Sequence, residues 1–297
     1  MSATTPPESA FVPAPVFSPT VSSASPTPTD LRHRVPAQSL IVELAKRRAA
    51  AAPPLGMSRA NRRPPITDEE RPWFVGALGE RHVASVLAGL GPEFRVLHSV
   101  PVGKGDSDID HVVVGPSGVF TINTKHHPGK KVWVGGRGML IAGHKVPHLR
   151  NAGYEARRAE KLLSSATGLT VPVTGIVVVV GASQLTIRRA PEADGVRLLV
   201  VHDTQLLKAL QTRPEFSPEQ VQRIADAASV ASTWHKSPVN DGDVSALVLA
   251  FDELTGEVAR QDKTVRRRKL LWALAAMLLP VAAVYTGLSV LTAMLTR

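Results

Sequence analysis

Apolar residues fall at helical spacing along residues 67–90, where Phe74, Leu78, Val86, Leu87 and Leu90 form one side of an expected helix. Thr67 followed by Glu70 has the spacing of a capping box, and Asp68 and Glu69 suit a helix N-terminus. The residues Gly89, Leu90, Gly91 and Pro92 should end it. Strand-like pattern follows over residues 94–102, 111–114 and 119–124, with Gly115, Pro116, Ser117 and Gly118 as a turn between the last two. Short strands are expected at 132–134 and 139–141, joined by a glycine-rich hairpin turn at 135–138. Residues 151–165 read as a helix with Tyr154, Ala159, Leu162 and Leu163 on its buried side. The β-branched run 176–180 reads as a strand covered on both faces, and 197–201 as a further strand. Helices are expected at 204–210 and 218–231, the second capped by Ser217 and Gln220. This order predicts an α/β domain over residues 67–235.

The flanks differ in kind. Residues 1–66 form an expected disordered leader rich in Pro, Ser and Ala, since such composition buries too little apolar area to offset chain entropy. A short helix fits within it at 38–52. Residues 236–269 read as a spacer, with an amphipathic helix at 243–262 and a basic cluster Arg266, Arg267, Arg268 and Lys269. Residues 270–296 contain no charged side chain, and a bilayer core needs roughly 20 apolar helical residues. The expectation is one C-terminal transmembrane helix. The basic cluster before it would keep the N-terminal domain on the cytoplasmic side of the cell membrane.

The chain has 297 residues, no cysteine and a net charge of +10. Absent cysteine excludes disulfide scaffolds, thiol nucleophiles and thiolate metal sites. Positive charge favours anionic partners, DNA or RNA or acidic lipid. The basic residues concentrate between Lys125 and Lys161, where nine Lys or Arg stand against two Glu. In this block Lys130, Lys131 and Arg137 are candidate phosphate contacts. No motif for a small-molecule cofactor is evident.

Candidate chemistry lies around one hairpin. If Pro116 and Ser117 form a two-residue turn, Asp110 falls opposite Asn123 and Asp108 opposite Lys125. Opposed residues point the same way, so Asp110, Asn123 and Lys125 would converge. If Gly118 instead forms a bulge, Asp110 opposes Thr124 and the group separates. Glu80, in the middle of the first helix, can supply a further carboxylate. A carboxylate and an oxygen on the next strand suit Mg²⁺, and a nearby ammonium can stabilise phosphoryl charge. His111, His126 and His127 read as structural or surface residues, and Trp133 as packing on the sheet.

These residues resemble a known family. The stretch from about residue 73 to 186 looks like the nuclease-related domain, NERD, on the strength of Gly79 and Glu80, of the run 108–120 (DIDHVVVGPSGVF), and of Asn123, Thr124 and Lys125. The resemblance implies membership of the PD-(D/E)XK nuclease superfamily and a restriction-endonuclease-like mixed sheet flanked by helices. By position it makes Asp110 the metal-binding aspartate, Lys125 the catalytic lysine and Glu80 the helix glutamate. Asn123 stands in a slot that the superfamily fills with Asp or Glu. The implied function is Mg²⁺-dependent hydrolysis of DNA or RNA, with Asp110, Asn123 and Glu80 as metal ligands. The alternative is a nuclease fold with weak or absent catalysis that binds nucleic acid or a protein partner at the membrane.

Overall fold

The computed structural model of the chain describes residues 30–51, 64–103, 107–193, 195–235 and 242–295. After a 3₁₀ turn at Leu31–His33 the elements are α1 (Gln38–Ala50), α2 (Arg71–Leu87), β1 (Arg95–Pro101), β2 (Asp108–Gly115), β3 (Gly118–His126), β4 (Lys131–Gly135), β5 (Gly138–Ile141) and β6 (His144–Val146). There follow α3 (His148–Thr167), β7 (Val173–Val180), β8 (Gln184–Arg189), β9 (Leu198–His202), α4 (Leu206–Leu210), α5 (Pro218–Ser229), α6 (Ala231–Trp234) and α7 (Ser245–Leu295).

Two sheets form. The larger has the order β1-β2-β3-β7-β9, antiparallel across β1, β2 and β3 and parallel across β3, β7 and β9. The smaller has the order β6-β5-β4-β8. Strand alternation sorts the core into layers. Val113, Phe120, Ile122, Ile176 and Val178 meet Val83 and Leu87 of α2 and Leu206 and Leu210 of α4. Val112 and Val114 face the other way, onto Ala156, Ala159 and Leu163 of α3, Ile224 of α5 and Trp234 of α6. Val177 and Val179 meet Val132, Val134 and Met139 of the smaller sheet. The mixed α/β expectation therefore agrees with this architecture. Strand β8 went unread because its residues are largely exposed and lack a clean apolar alternation.

The hairpin register is the one that a two-residue turn requires: His111 pairs with Ile122, Val112 with Thr121 and Gly115 with Gly118. Its turn is fastened from outside. Pro116 O accepts from Glu215 N at 2.7 Å and Phe216 N at 3.0 Å, and the Ser117 hydroxyl donates to Leu210 O. The Ser217 capping box forms at the start of α5, and the Thr67–Glu70 pair makes the equivalent bonds in the turn that precedes α2. Glu70 N donates to Thr67 Oγ1 at 3.3 Å and Thr67 N to Glu70 Oε2 at 3.0 Å; Gln220 N donates to Ser217 Oγ at 3.3 Å.

Two expectations are corrected. The helix at Gln38–Ala50 is not a loose part of a leader, because its Ile41 and Leu44 are buried against Phe74 and Ala77 of α2 and Phe251 and Leu254 of α7. Each such buried side chain contributes roughly 1.5–3 kcal/mol. The leader residues 1–29 and 52–63 lie outside the described residues. The second correction concerns the transmembrane helix: among the described residues, no helix is long and apolar enough to cross a membrane. The uncharged run is instead continuous with the charged part of α7, which carries Glu253, Glu257, Arg260, Asp262, Lys263 and the basic cluster Arg266–Lys269. The start of α7 docks on the domain through Phe251 against Phe74 (ring centroids 5.5 Å apart) and Asp252 against Arg81 at 2.5 Å. Residues 296–297, and the side chains of 274 and 278–297, lie outside the described residues.

Gly79 sets the distance between α2 and β3. A Cβ there would lie 2.8 Å from His126 Cβ and 3.4 Å from Thr124 Cγ2. Gly79→Ala should therefore push helix and strand apart and cost about 1–3 kcal/mol. Urea unfolding measures this, and an unchanged midpoint would refute the close-approach role.

Candidate functional site

The site is built where β2 and β3 part. The ladder runs from Gly115–Gly118 to His111–Ile122 and stops before Asp110. There the Asp110 carboxylate accepts from Thr124 N at 2.6 Å. On the β1 side the pairing also skips one position: Ser99, with φ of 47°, leaves the ladder between His98–His111 and Val100–Ile109. Its hydroxyl instead accepts from Gln38 N at 2.9 Å. The edge of α1 is thus tied to the strand pair that presents Asp110.

Five charged side chains meet here. Glu80, Asp110 and Asn123 are buried, while Asp108, Lys125 and Glu155 are partly exposed. Burial pushes the Glu80 carboxyl well above its usual range, the charges of Asp110 and Asp108 push it further, and Lys125 opposes. Asp108 is pushed up to about 6 by burial and by Asp110, against the Ser39 hydroxyl and Arg34. Burial raises Asp110 too, with the Lys125 charge and the Thr124 amide opposing. Glu155 is pushed up to about 7 by burial, although the Asn123 amide holds it back. Lys125 Nζ donates to Thr124 O at 2.9 Å. A pocket in which four carboxylates face one ammonium favours any further cation.

Asn123 faces α3. Its amide nitrogen donates to both carboxylate oxygens of Glu155, at 2.9 and 3.0 Å. Its Oδ1 is buried without a hydrogen-bond partner, as is Glu80 Oε2. Two unpartnered buried oxygens beside a raised carboxylate are hard donors suited to Mg²⁺, which takes one or two protein carboxylates and fills its other positions with water and phosphate. Among the described residues, no group of three or more His, Asp or Glu is arranged to hold a metal. The oxygens that would face such an ion belong to the carboxylates of Asp110 and Glu80 and to the Asn123 amide.

The predicted residues thus divide. Glu80, Asp110, Asn123 and Lys125 come together. Lys130 and Lys131 are exposed at the start of β4, and the Lys130 charge acts on His127, which also feels Lys125. Arg137 sits past the far end of β4 and does not join them. Glu155 was missed. Its signal was a glutamate flanking the apolar series Leu149, Ala152, Ala156, Ala159 and Leu163, where a solvated charge does not belong. His126 Nδ1 lies 3.1 Å from Val75 O, and the His127 ring stacks near His148 with centroids 6.2 Å apart. Trp133 is 38% exposed and lies over Gly135.

Behind Asp110, the Nδ1 atoms of His98 and His111 lie 2.9 Å apart, within hydrogen-bond distance. Burial lowers His98 to about 4, and lowers His111 well below the usual value. The folded pair stays neutral where the unfolded chain takes up protons, so this contribution to stability is present above pH 6.5 and is lost as pH falls towards 4. The raised acids act in the opposite sense, losing stability as pH rises through about 6 to 7. His98→Asn should remove about 2 kcal/mol of the acid-side loss by pH 5. Urea titrations of both proteins at pH 7 and pH 5 measure this, and parallel losses would refute it.

Comparison with known proteins comes down on the same stretch. The family model described as the nuclease-related domain matches residues 75–180. An uncharacterized protein of Bacillus anthracis is 36% identical over 75 residues, which cover 24% of this chain and 34% of that protein. The chain thus spans about a third of that relative's length. No solved structure matches significantly.

Proposed function

We propose that the protein hydrolyses phosphodiester bonds of DNA or RNA with the help of Mg²⁺, since residues 75–180 match the nuclease-related domain, which is placed in the PD-(D/E)XK superfamily. One observation carries this reading: buried carboxylates gathered round a single ammonium, with two oxygens left unpartnered. Asp110, Glu80 and the Asn123 amide would hold the ion. When bound, Mg²⁺ lowers the pKa of its water and offsets charge at phosphorus. Asp110 is aimed by the Thr124 amide, and Glu80 by the close approach at Gly79. Lys125, fixed to Thr124 O, stabilises the developing phosphoryl charge. Lys130 and Lys131 draw phosphate towards the mouth of the site.

A second reading rests on the Asn123–Glu155 contact. A neutral amide committed to Glu155 grips metal less than the carboxylate usual in that slot, which makes the protein a nucleic-acid-binding module with weak or no cleavage. Asn123→Asp separates the two. In metal-free buffer it should destabilise the fold, because two carboxylates then face each other. With Mg²⁺ it should bind metal more tightly and, if the first reading holds, cleave faster.

The direct test is cleavage of labelled DNA and RNA by the full chain with Mg²⁺ or Mn²⁺. Asp110→Ala and Lys125→Ala should each lower the rate at least about 100-fold, the scale of losing one charge-stabilising group. Equal rates for wild type and both variants would remove these residues from the reaction. Binding without cleavage, unchanged by Asn123→Asp, would leave the second reading standing.

A further inference from the structure

The acidic pocket opens onto a cleft of about 670 Å³ whose floor includes Asp108 and Glu155. One wall is α3, which contributes Arg150, Tyr154, Arg157 and Arg158. Arg150 precedes Tyr154 by four residues, and Arg157 and Arg158 follow it by three and four, so the three arginines flank Tyr154 on its helix face. The row from 150 to 158 is about 12 Å long. Arg158 reaches across the cleft to Gly103, beyond the end of β1. Tyr154 was expected on the buried side of its helix, yet it is 59% exposed. The buried side is held by Ala152, Gly153 and Ala156, so the ring stands at the cleft rather than in the core.

From this arrangement we propose that the cleft along α3 is the binding track for a single-stranded nucleic acid. Arg150, Arg157 and Arg158 hold successive phosphates, and Tyr154 stacks an unpaired base beside the Asp108–Glu155 mouth. The proposal deepens the nuclease reading of the same site and rests on it for the direction of the chain. Three features carry it. The cleft has the volume of a small-molecule pocket, which admits one or two nucleotides but not the full width of a duplex. An exposed aromatic on a basic wall offers a face on which any base can stack. The basic residues of this wall are all arginine, whose planar fork suits phosphate and whose face also stacks on bases. The track thus lies on α3, whereas the lysines of β4 stand outside the cleft.

The test is fluorescence anisotropy with the full chain in EDTA, using a short labelled oligothymidine strand and a blunt duplex of equal length. The strand should bind at least about 10-fold more tightly than the duplex. Tyr154→Ala should weaken strand binding about 5- to 100-fold, the range given by loss of one base stack, while Tyr154→Phe stays close to wild type. Arg150→Ala and Arg158→Ala should each flatten the plot of log affinity against log salt by about 0.7. Arg213→Ala, at the opposite end of the hairpin, should leave that slope unchanged. Equal affinity for strand and duplex, or a Tyr154→Ala variant that binds like wild type, would overturn the proposal. A parallel cleavage assay with Mg²⁺ separates the two claims. Binding that follows these expectations without cleavage sinks the nuclease reading and keeps the track. Cleavage that Tyr154→Ala and Arg158→Ala leave untouched sinks the track and keeps the nuclease.

Discussion

Four carboxylates and one ammonium share a pocket that water reaches poorly, and the packing around them must hold those like charges together. Glu80, Asp108, Asp110 and Glu155 arrive on α2, β2 and α3, three elements that would separate if only their charges acted. Apolar layers on both faces of the larger sheet supply the opposing force. The strain appears as raised proton affinity in all four acids. A protein selected only for stability would replace such a group with apolar side chains. Acids perturbed by burial and like charge cluster at functional sites.

The scaffold around the pocket works by close approach and fastening. Gly79 lets α2 lie against β3, so that the next residue, Glu80, enters the pocket. The far end of the β2–β3 hairpin is bound by Glu215, Phe216 and Leu210, which holds its register. The near end is left unladdered: the Thr124 amide serves the Asp110 carboxylate, and the Ser99 hydroxyl accepts from Gln38 N of α1. Helices α1 and α7 pack on the back of α2. Segments that look like a leader and a spacer therefore brace the helix that carries Glu80, and Ser39 of α1 reaches the surroundings of Asp108.

Asn123 gives the site its individual character. A carboxylate there would add a further negative charge to a pocket already crowded with them. The amide instead bridges to Glu155 and presents an oxygen inward. A carboxylate thus stands beside the Asn123 amide from α3 rather than from the hairpin.

Local chemistry was sufficient for most of the elements and for the hairpin that carries Asp110, Asn123 and Lys125. The turn at 115–118 has a length that fixes hairpin register, and register alone decides whether Asp110, Asn123 and Lys125 share a face. The capping boxes at Thr67 and Ser217 are likewise local bonds between residues three apart. Glu155, the α3 cleft and the docking of α1 and α7 were beyond such reasoning. Each depends on which surfaces meet across the core, and that is settled by the summed burial of many side chains from distant parts of the chain. The apolar run at 270–295 shows the limit: composition describes a segment by itself, whereas the helix to which it belongs includes its charged neighbours. Sequence thus determined most of the elements, the hairpin and the placing of Asp110, Asn123 and Lys125 on it, because those follow from bonds between near neighbours. Tertiary structure alone decided the fourth carboxylate, the bracing helices and the arginine wall, because those follow from packing.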